Sequence, residues 1–430
     1  MYLLYSALLA LALFLGSPYW LFEMLRHGKY RRGVAERFGS VPQRIASDKP
    51  SIWVHAVSVG EVLAVSELIC RLQAEHPEYR IVISTTTDTG QALAAKRFGA
   101  ESVFYFPLDF RFCIEKYLAA LNPKLIVIAE TEFWPNLLRL AKDRKIPVAV
   151  VNARISDRSL PGYRRWRRLL RRVLQNIHLL LAQTPEDARR LTEIGAPADR
   201  VFVSGNLKFD VPPPAVQPIV KQLRSVLDSS NAHPIMVCGS TVEGEEPILI
   251  EAFQQVLSHN SHAVMLLAPR HPERFEQVSD LLRKSGVPFW KRSLWNGQQL
   301  LGGVLLIDSI GELASLYSLA DLAFVGGSLV PRGGHSILEP AQHGVPILVG
   351  AHTENFRDIV ELFRSRNAVR IVNPEDLGKA ISTLLANETE RRALGQRGLE
   401  TLQSQRGATQ FTLEKLRPLL QKALHEAHSA

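Results

Sequence analysis

Short runs of β-branched and aliphatic residues, separated by stretches with helical periodicity, limit the fold of this chain more than any other feature. SIWVHAV, RIVIST, LIVIAE, PVAVVNA, HLLLAQ and RVFVSG fall between Ser51 and Gly205. Several lack polar alternation, as strands buried on both faces of a helix-flanked parallel sheet require. PIMVCGS, AVMLLAPR, GVLLID, LAFVGGS and VPILVG repeat the pattern further along. Between the two series stands DVPPPAVQP, whose prolines continue neither a strand nor a helix. The expectation is an α/β protein of two Rossmann-like parallel-sheet domains, residues 23–209 and 219–430, joined by a linker at 210–218. A length of 430 residues, more than one core usually serves, agrees with two.

Residues 1–22 carry no charge. As a helix they would cover about 33 Å, close to the thickness of a bilayer's hydrocarbon core. Arg26, Lys29, Arg31, Arg32 and Arg37 follow the apolar run, the reverse of the order in a cleaved signal peptide. A membrane anchor is expected, spanning or dipping, with the bulk of the chain in the cytoplasm by the positive-inside rule. The segment Tyr163 to Arg172, YRRWRRLLRR, reads as a basic amphipathic helix in which Arg164, Arg165, Arg167 and Arg168 would meet an acceptor or lipid headgroups. A solvated helix face is the plain alternative, and nucleic acid uses the same chemistry, but the nearby anchor favours lipid. The net charge of +9 suits an anionic partner without choosing one. Cys70, Cys113 and Cys238 show no C-x-x-C spacing, which fits a reducing compartment and excludes a cysteine zinc site; each is expected as a small core residue.

Polar residues gather at the strand ends, where open α/β sheets bind ligands. In FVGGSLVPRGGHSILEPAQHGVP, Phe324 to Pro346, Gly326, Gly327, Gly333 and Gly334 precede a predicted helix, an arrangement that suits an anion cradle. Ser328, Arg332, His335, Ser336 and Glu339 lie beside them, able to contact a sugar, a ribose or a phosphate. Other strand ends carry Pro269, Arg270 and His271, and then Ile310, Gly311 and Glu312, the last equally suited to favour a helix dipole. In the first half, Ser58 and Glu61 have capping-box spacing, which leaves Glu61 open as a cap or as a ligand-facing acid. Glu130 and Glu132 end another run, and Lys208 follows Gly205.

HAVSVGE, AETEFWPNLL, VNARISDRS, GNLKFD, APRHPERF, GGS and GGHSILEPAQHGVP, in this order behind an apolar N-terminus, resemble the Kdo (3-deoxy-D-manno-octulosonic acid) transferases of lipopolysaccharide biosynthesis. The resemblance implies a GT-B glycosyltransferase with its two domains facing a cleft. It implies inverting transfer from CMP-Kdo to the tetraacylated lipid A precursor, lipid IVA, on the cytoplasmic side of the inner membrane. No cofactor and no nucleic-acid partner are implied. Glu61 would be the general base, with Glu130 and Lys208 supporting the transition state. CMP would be held by Pro269, Arg270, Ile310, Gly311, Glu312, Ser336, Ile337, Leu338 and Glu339. Ser336 stands where the family usually has asparagine, and the sequence holds no metal-ligand cluster. The alternatives are another GT-B transferase or an epimerase using a UDP-sugar, or a non-catalytic membrane-tethered binding protein.

Overall fold

A computed structural model describes residues 1–27, 32–210 and 217–428. The chain divides into two compact units, Met1–Val211 with Gln405–Ala430, and Pro212–Ser404. Among the described residues each unit holds one seven-stranded parallel sheet.

In the first unit the strands are β1 (Ser51–His55), β2 (Arg80–Thr85), β3 (Val103–Tyr105), β4 (Pro123–Ala129), β5 (Val148–Ala153), β6 (Leu179–Ala182) and β7 (Val201–Val203). Their order is β3-β2-β1-β4-β5-β6-β7. Neighbouring β1 and β4 therefore connect onward in opposite directions, which opens a crevice at their C-terminal ends. Alternate residues serve the two faces. Trp53, Val82, Ile126 and Val148 pack under Ile114, Leu137, Leu138 and Leu174, while Ile52, Val54, Ile81 and Leu125 pack under Val62, Val65 and Leu68.

The second face is completed from the far end of the chain. Leu413, Leu416 and Leu420 of the helix Ala408–His428 are buried in the same cluster as Val62 and Leu68 of the helix Val59–Glu75. The expected second domain, 219–430, is thus too long. Residues from Gln405 on belong to the first unit, because the 3-then-4 spacing of those leucines makes an apolar stripe that this sheet face buries. Each leucine contributes about 2 kcal/mol by that burial. Of the expected linker, residues 211–216 lie outside the described residues; Asp210 ends the 3₁₀ turn Leu207–Asp210 and Pro218 opens the helix Pro218–Ser229.

The second unit repeats the design with β8 (Ile235–Thr241), β9 (Val264–Pro269), β10 (Phe289–Lys291), β11 (Val304–Leu306), β12 (Leu322–Val325), β13 (Ile347–Val349) and β14 (Arg370–Ile371). The order β10-β11-β9-β8-β12-β13-β14 puts its reversal between β8 and β12. Strands β3, β10 and β14 were not legible as apolar runs. Each is an edge strand of three residues or fewer.

The N-terminal helix is Tyr2–His27, and Pro18 lies within it instead of ending it. Its segment Tyr2–Trp20 is long and apolar enough to cross a membrane. One side of its first turns is fastened to the first unit. Asn176 donates to the Tyr2 hydroxyl at 3.1 Å, Asn136 to the Ser6 hydroxyl at 3.0 Å, and the Arg139 guanidinium lies 4.8 Å from the Tyr2 ring centre. The other side leaves Leu3, Leu4, Leu8, Phe14 and Leu15 exposed. The basic segment forms two helices, Leu160–Arg165 and Arg167–Leu174, broken at the exposed Trp166, in place of the single helix expected. Cys113 and Cys238 are core residues, but Cys70 is exposed on its helix.

Candidate active site

In the first unit the crevice between β1 and β4 gathers acids. Ser58 caps the helix Val59–Glu75, accepting from the Glu61 N–H, and Glu61 turns back as a capping box requires. Its Oε2 accepts from the Val57 N–H at 2.8 Å and its Oε1 from the Ser58 hydroxyl at 3.0 Å. Cap and ligand-facing acid are not exclusive here. Burial pushes the Glu61 carboxyl up to about 7, the nearby Glu130 and Glu132 add to the rise, and the Val57 N–H opposes it.

Glu130 follows β4 directly, in the left-handed region at φ 57°. A non-glycine residue held there costs about 1–3 kcal/mol, the kind of strain that collects at functional sites. The Lys208 Nζ lies 3.9 Å from Glu130 Oε1, and burial followed by Glu130 raises the Glu132 carboxyl. Glu61, Glu130, Glu132 and Lys208 thus share one electrostatic neighbourhood. The basic segment begins beside it, for the Tyr163 ring lies 6.3 Å from that of Phe133 and close enough to Glu132 to feel its charge. Arg165, Arg167 and Arg168 are exposed, whereas Arg164 is ion-paired with Glu193.

Two further groups here left no sequence signal. His55, opening the HAVSVGE stretch, is wholly buried, hydrogen-bonded through Nδ1 to the Ser84 hydroxyl at 2.9 Å and pushed down to about 3 by burial; it is a neutral core residue. Asp109 accepts from the N–H groups of Asn136 and Leu137 at 2.9 and 2.8 Å, capping the helix Pro135–Asp143 from a distant loop.

In the second unit, the glycine loop after β12 does not present an open anion cradle at Gly326 and Gly327. The wholly buried Glu245 occupies that position. Its carboxylate accepts from Gly327 N at 2.7 Å, Ser328 N and Leu329 N at 2.9 Å, and Val242 N at 3.0 Å. Gly327 adopts φ 73°, and a Cβ on Gly326 would fall 2.5 Å from the Ser240 carbonyl oxygen, so the glycines allow this close inward packing. Ser328 is likewise structural: its hydroxyl donates to the Val325 carbonyl and accepts from Gly350 N.

What remains for a ligand lies past the loop. Arg270, just beyond β9, is exposed and makes no ion pair among the described residues. Its charge is felt by His335, driven down to about 4 by burial and then by Arg270 and His271, and by Glu339, whose carboxyl burial raises and Arg270 opposes. Arg270, His271, His335 and Glu339 therefore form a second cluster, with Ser336, Ile337 and Leu338 leading into the helix Leu338–Gln342. Pro269 is buried at the end of β9, and the Arg270 N–H donates to the Thr241 carbonyl at 2.8 Å. Gly311 at φ 96° turns Ile310 outward, 62% exposed, while the Glu312 carboxylate accepts from Arg292 at 2.9 Å and from the Ser309 hydroxyl. Glu312 thus fixes its own turn, so a ligand would meet Ile310 and Gly311 first. Among the described residues no group of three or more His, Cys, Asp or Glu has a metal-binding arrangement.

The family model of 3-deoxy-D-manno-octulosonic-acid transferases (kdotransferases) matches residues 32–211, and that of the glycosyl transferases group 1 matches residues 291–401. A 3-deoxy-D-manno-octulosonic acid transferase of Haemophilus influenzae is 36% identical over 92% of this chain and 93% of its own. Two solved structures share the fold: UDP-GlcNAc 2-epimerase of Neisseria meningitidis bound to UDP-GlcNAc (15% identity, TM-score 0.54, 86% of this chain and 100% of that one) and MurG of Acinetobacter baumannii (14%, 0.53, 86% and 99%).

Proposed function

Because the chain belongs to the 3-deoxy-D-manno-octulosonic acid (Kdo) transferase family, a family of glycosyltransferases in lipopolysaccharide biosynthesis, we propose that it moves Kdo from CMP-Kdo onto lipid IVA by an inverting displacement. The observation that carries this reading is Glu61: a carboxylate at the crevice between β1 and β4, pushed up to about 7 beside Glu130 and Lys208.

A sugar hydroxyl is a weak nucleophile, and a base with a pKa near the working pH can take its proton as the new bond forms. Glu61 fills that role. As the bond to CMP breaks, positive charge develops at the anomeric carbon, and the Glu130 carboxylate stabilises it. The Lys208 ammonium beside Glu130 balances that acid and complements the acidic sugar. In the second unit Arg270, with its fork of donors, takes the departing phosphate. Ile310 and Gly311 offer an apolar edge to the cytosine, and Ser336 to Glu339 hold the remainder of the nucleotide.

The exposed apolar side of Tyr2–His27 would place the enzyme on the cytoplasmic face of the inner membrane, with Arg165, Arg167 and Arg168 toward anionic headgroups or the acceptor's phosphates. The test is an assay of the purified protein with CMP-Kdo and lipid IVA, read by product mass, beside a titration with CMP and UDP. A product one or more Kdo units heavier supports the proposal. Tighter binding of UDP than of CMP would overturn it.

A further inference from the structure

We propose that Asp210 is a positioning residue for Lys208, an inference that rests on the catalytic role given to Lys208 above. Lys208 projects from the turn Leu207–Asp210 between two buried anchors, Leu207 and Phe209. The entry to this turn is fixed by Asn152 at the end of β5. Its backbone is left-handed at φ 56°, its Oδ1 accepts from Leu207 N at 3.0 Å, and its carbonyl is held by the Gln183 amide. Asn206 Oδ1 accepts from Lys208 N at 3.0 Å.

The exit is held by Asp210. One carboxylate oxygen accepts from Gly407 N at 2.7 Å and the other from Thr409 N, across nearly two hundred residues of sequence. Gly407 immediately precedes the helix Ala408–His428 and Thr409 lies in its first turn, so Asp210 caps that helix and ties the Lys208 turn to it. The same helix packs through Leu413, Leu416 and Leu420 against Val62 and Val65, beside Glu61, and against Val127 and Ala129, which lead into Glu130. It is a common backing for the three residues assigned to the chemistry, and Asp210 links the lysine to that backing. The Lys208 ammonium is already 3.9 Å from Glu130, so a small shift of the turn would separate them.

The test is steady-state transfer by the full-length protein for D210A, D210N, K208M and the double variant K208M/D210A, with circular dichroism and CMP titration as controls on folding. D210A is expected to lower kcat about 10- to 100-fold, the effect of roughly 1 Å of misplacement, with the KM for CMP-Kdo within about twofold. D210N keeps the shape and one acceptor and should fall between wild type and D210A; it carries the test if D210A does not fold. In the K208M background D210A should change kcat by no more than about twofold, since its effect passes through the lysine. The same loss in both backgrounds, or no loss in either Asp210 variant, would overturn the inference. Wild-type turnover by K208M would instead remove the catalytic role of Lys208, the premise beneath it.

Discussion

Replacing Glu61 by glutamine separates its chemical role from its helix-capping role. Glutamine keeps a carbonyl oxygen for the Val57 N–H and an amide that can donate to the Ser58 hydroxyl, so the cap survives while the charge is lost. The folded carboxyl titrates at about 7 against an ordinary 4.5. Between those pH values the folded chain holds a proton that the unfolded chain has released, so stability falls as pH rises through that window. Above it the ionised Glu61 costs about 3 kcal/mol, taking 1.36 kcal/mol per unit. At pH 8 the E61Q variant should therefore be more stable than wild type by about 1–3 kcal/mol, after allowing for weaker hydrogen bonds. At pH 4 the two should be nearly equal. In a unit of this size the gain corresponds to roughly 2–4 °C of Tm per kcal/mol, readable by thermal denaturation at both pH values. Transfer should drop about 100- to 10,000-fold in E61Q. In wild type, kcat/KM should rise about tenfold per pH unit below 7 and level off above it. Equal stability changes at the two pH values, or turnover by E61Q within a few-fold of wild type, would refute the reasoning.

Three other variants probe separate parts of the protein. R270A should weaken CMP binding by about 10- to 100-fold, the worth of a charge-assisted phosphate contact, as measured by calorimetry. E245A leaves four buried N–H groups without an acceptor and should destabilise the second unit by more than about 4 kcal/mol in urea unfolding, at about 1–3 kcal/mol per group. Neutralising Arg165, Arg167 and Arg168 together should reduce binding to vesicles containing anionic lipid by about 3 kcal/mol, near 1 kcal/mol per charge, while CMP affinity stays unchanged.

Sequence periodicity made the two sheets legible because strands such as LIVIA and MVC are buried on both faces and must be apolar throughout. It said nothing of β3, β10 and β14, where two or three edge residues pair on one side only and carry no pattern. Glu61, Glu130 and Lys208 were nameable from their motifs, but not the burial that raises the Glu61 carboxyl, which depends on packing from distant segments. The glycine loop was legible as suited to an anion cradle, but at Gly326 and Gly327 the anion is the protein's own Glu245 carboxylate. Glu245 comes from a helix some eighty residues earlier, and one carboxylate in the sequence looks like any other. Asp210 was hidden for the same reason: it sits among linker residues, and its two donors are near the far end of the chain.

The placement of Ala408–His428 also bears on how the polypeptide matures. Residues 212–404 form a continuous unit that has all its strands once they are synthesised. The first unit is made earlier, yet one face of its sheet, packed in part by the helix Val59–Glu75, is completed by leucines 413, 416 and 420 and stays partly open until the helix Ala408–His428 emerges. Domains made first usually fold first during synthesis. Here the order is reversed for one sheet face. The nascent first unit keeps part of an apolar face uncovered while the second unit is made, and closing it is the event that brings the backing of Glu61, Glu130 and Lys208 into place.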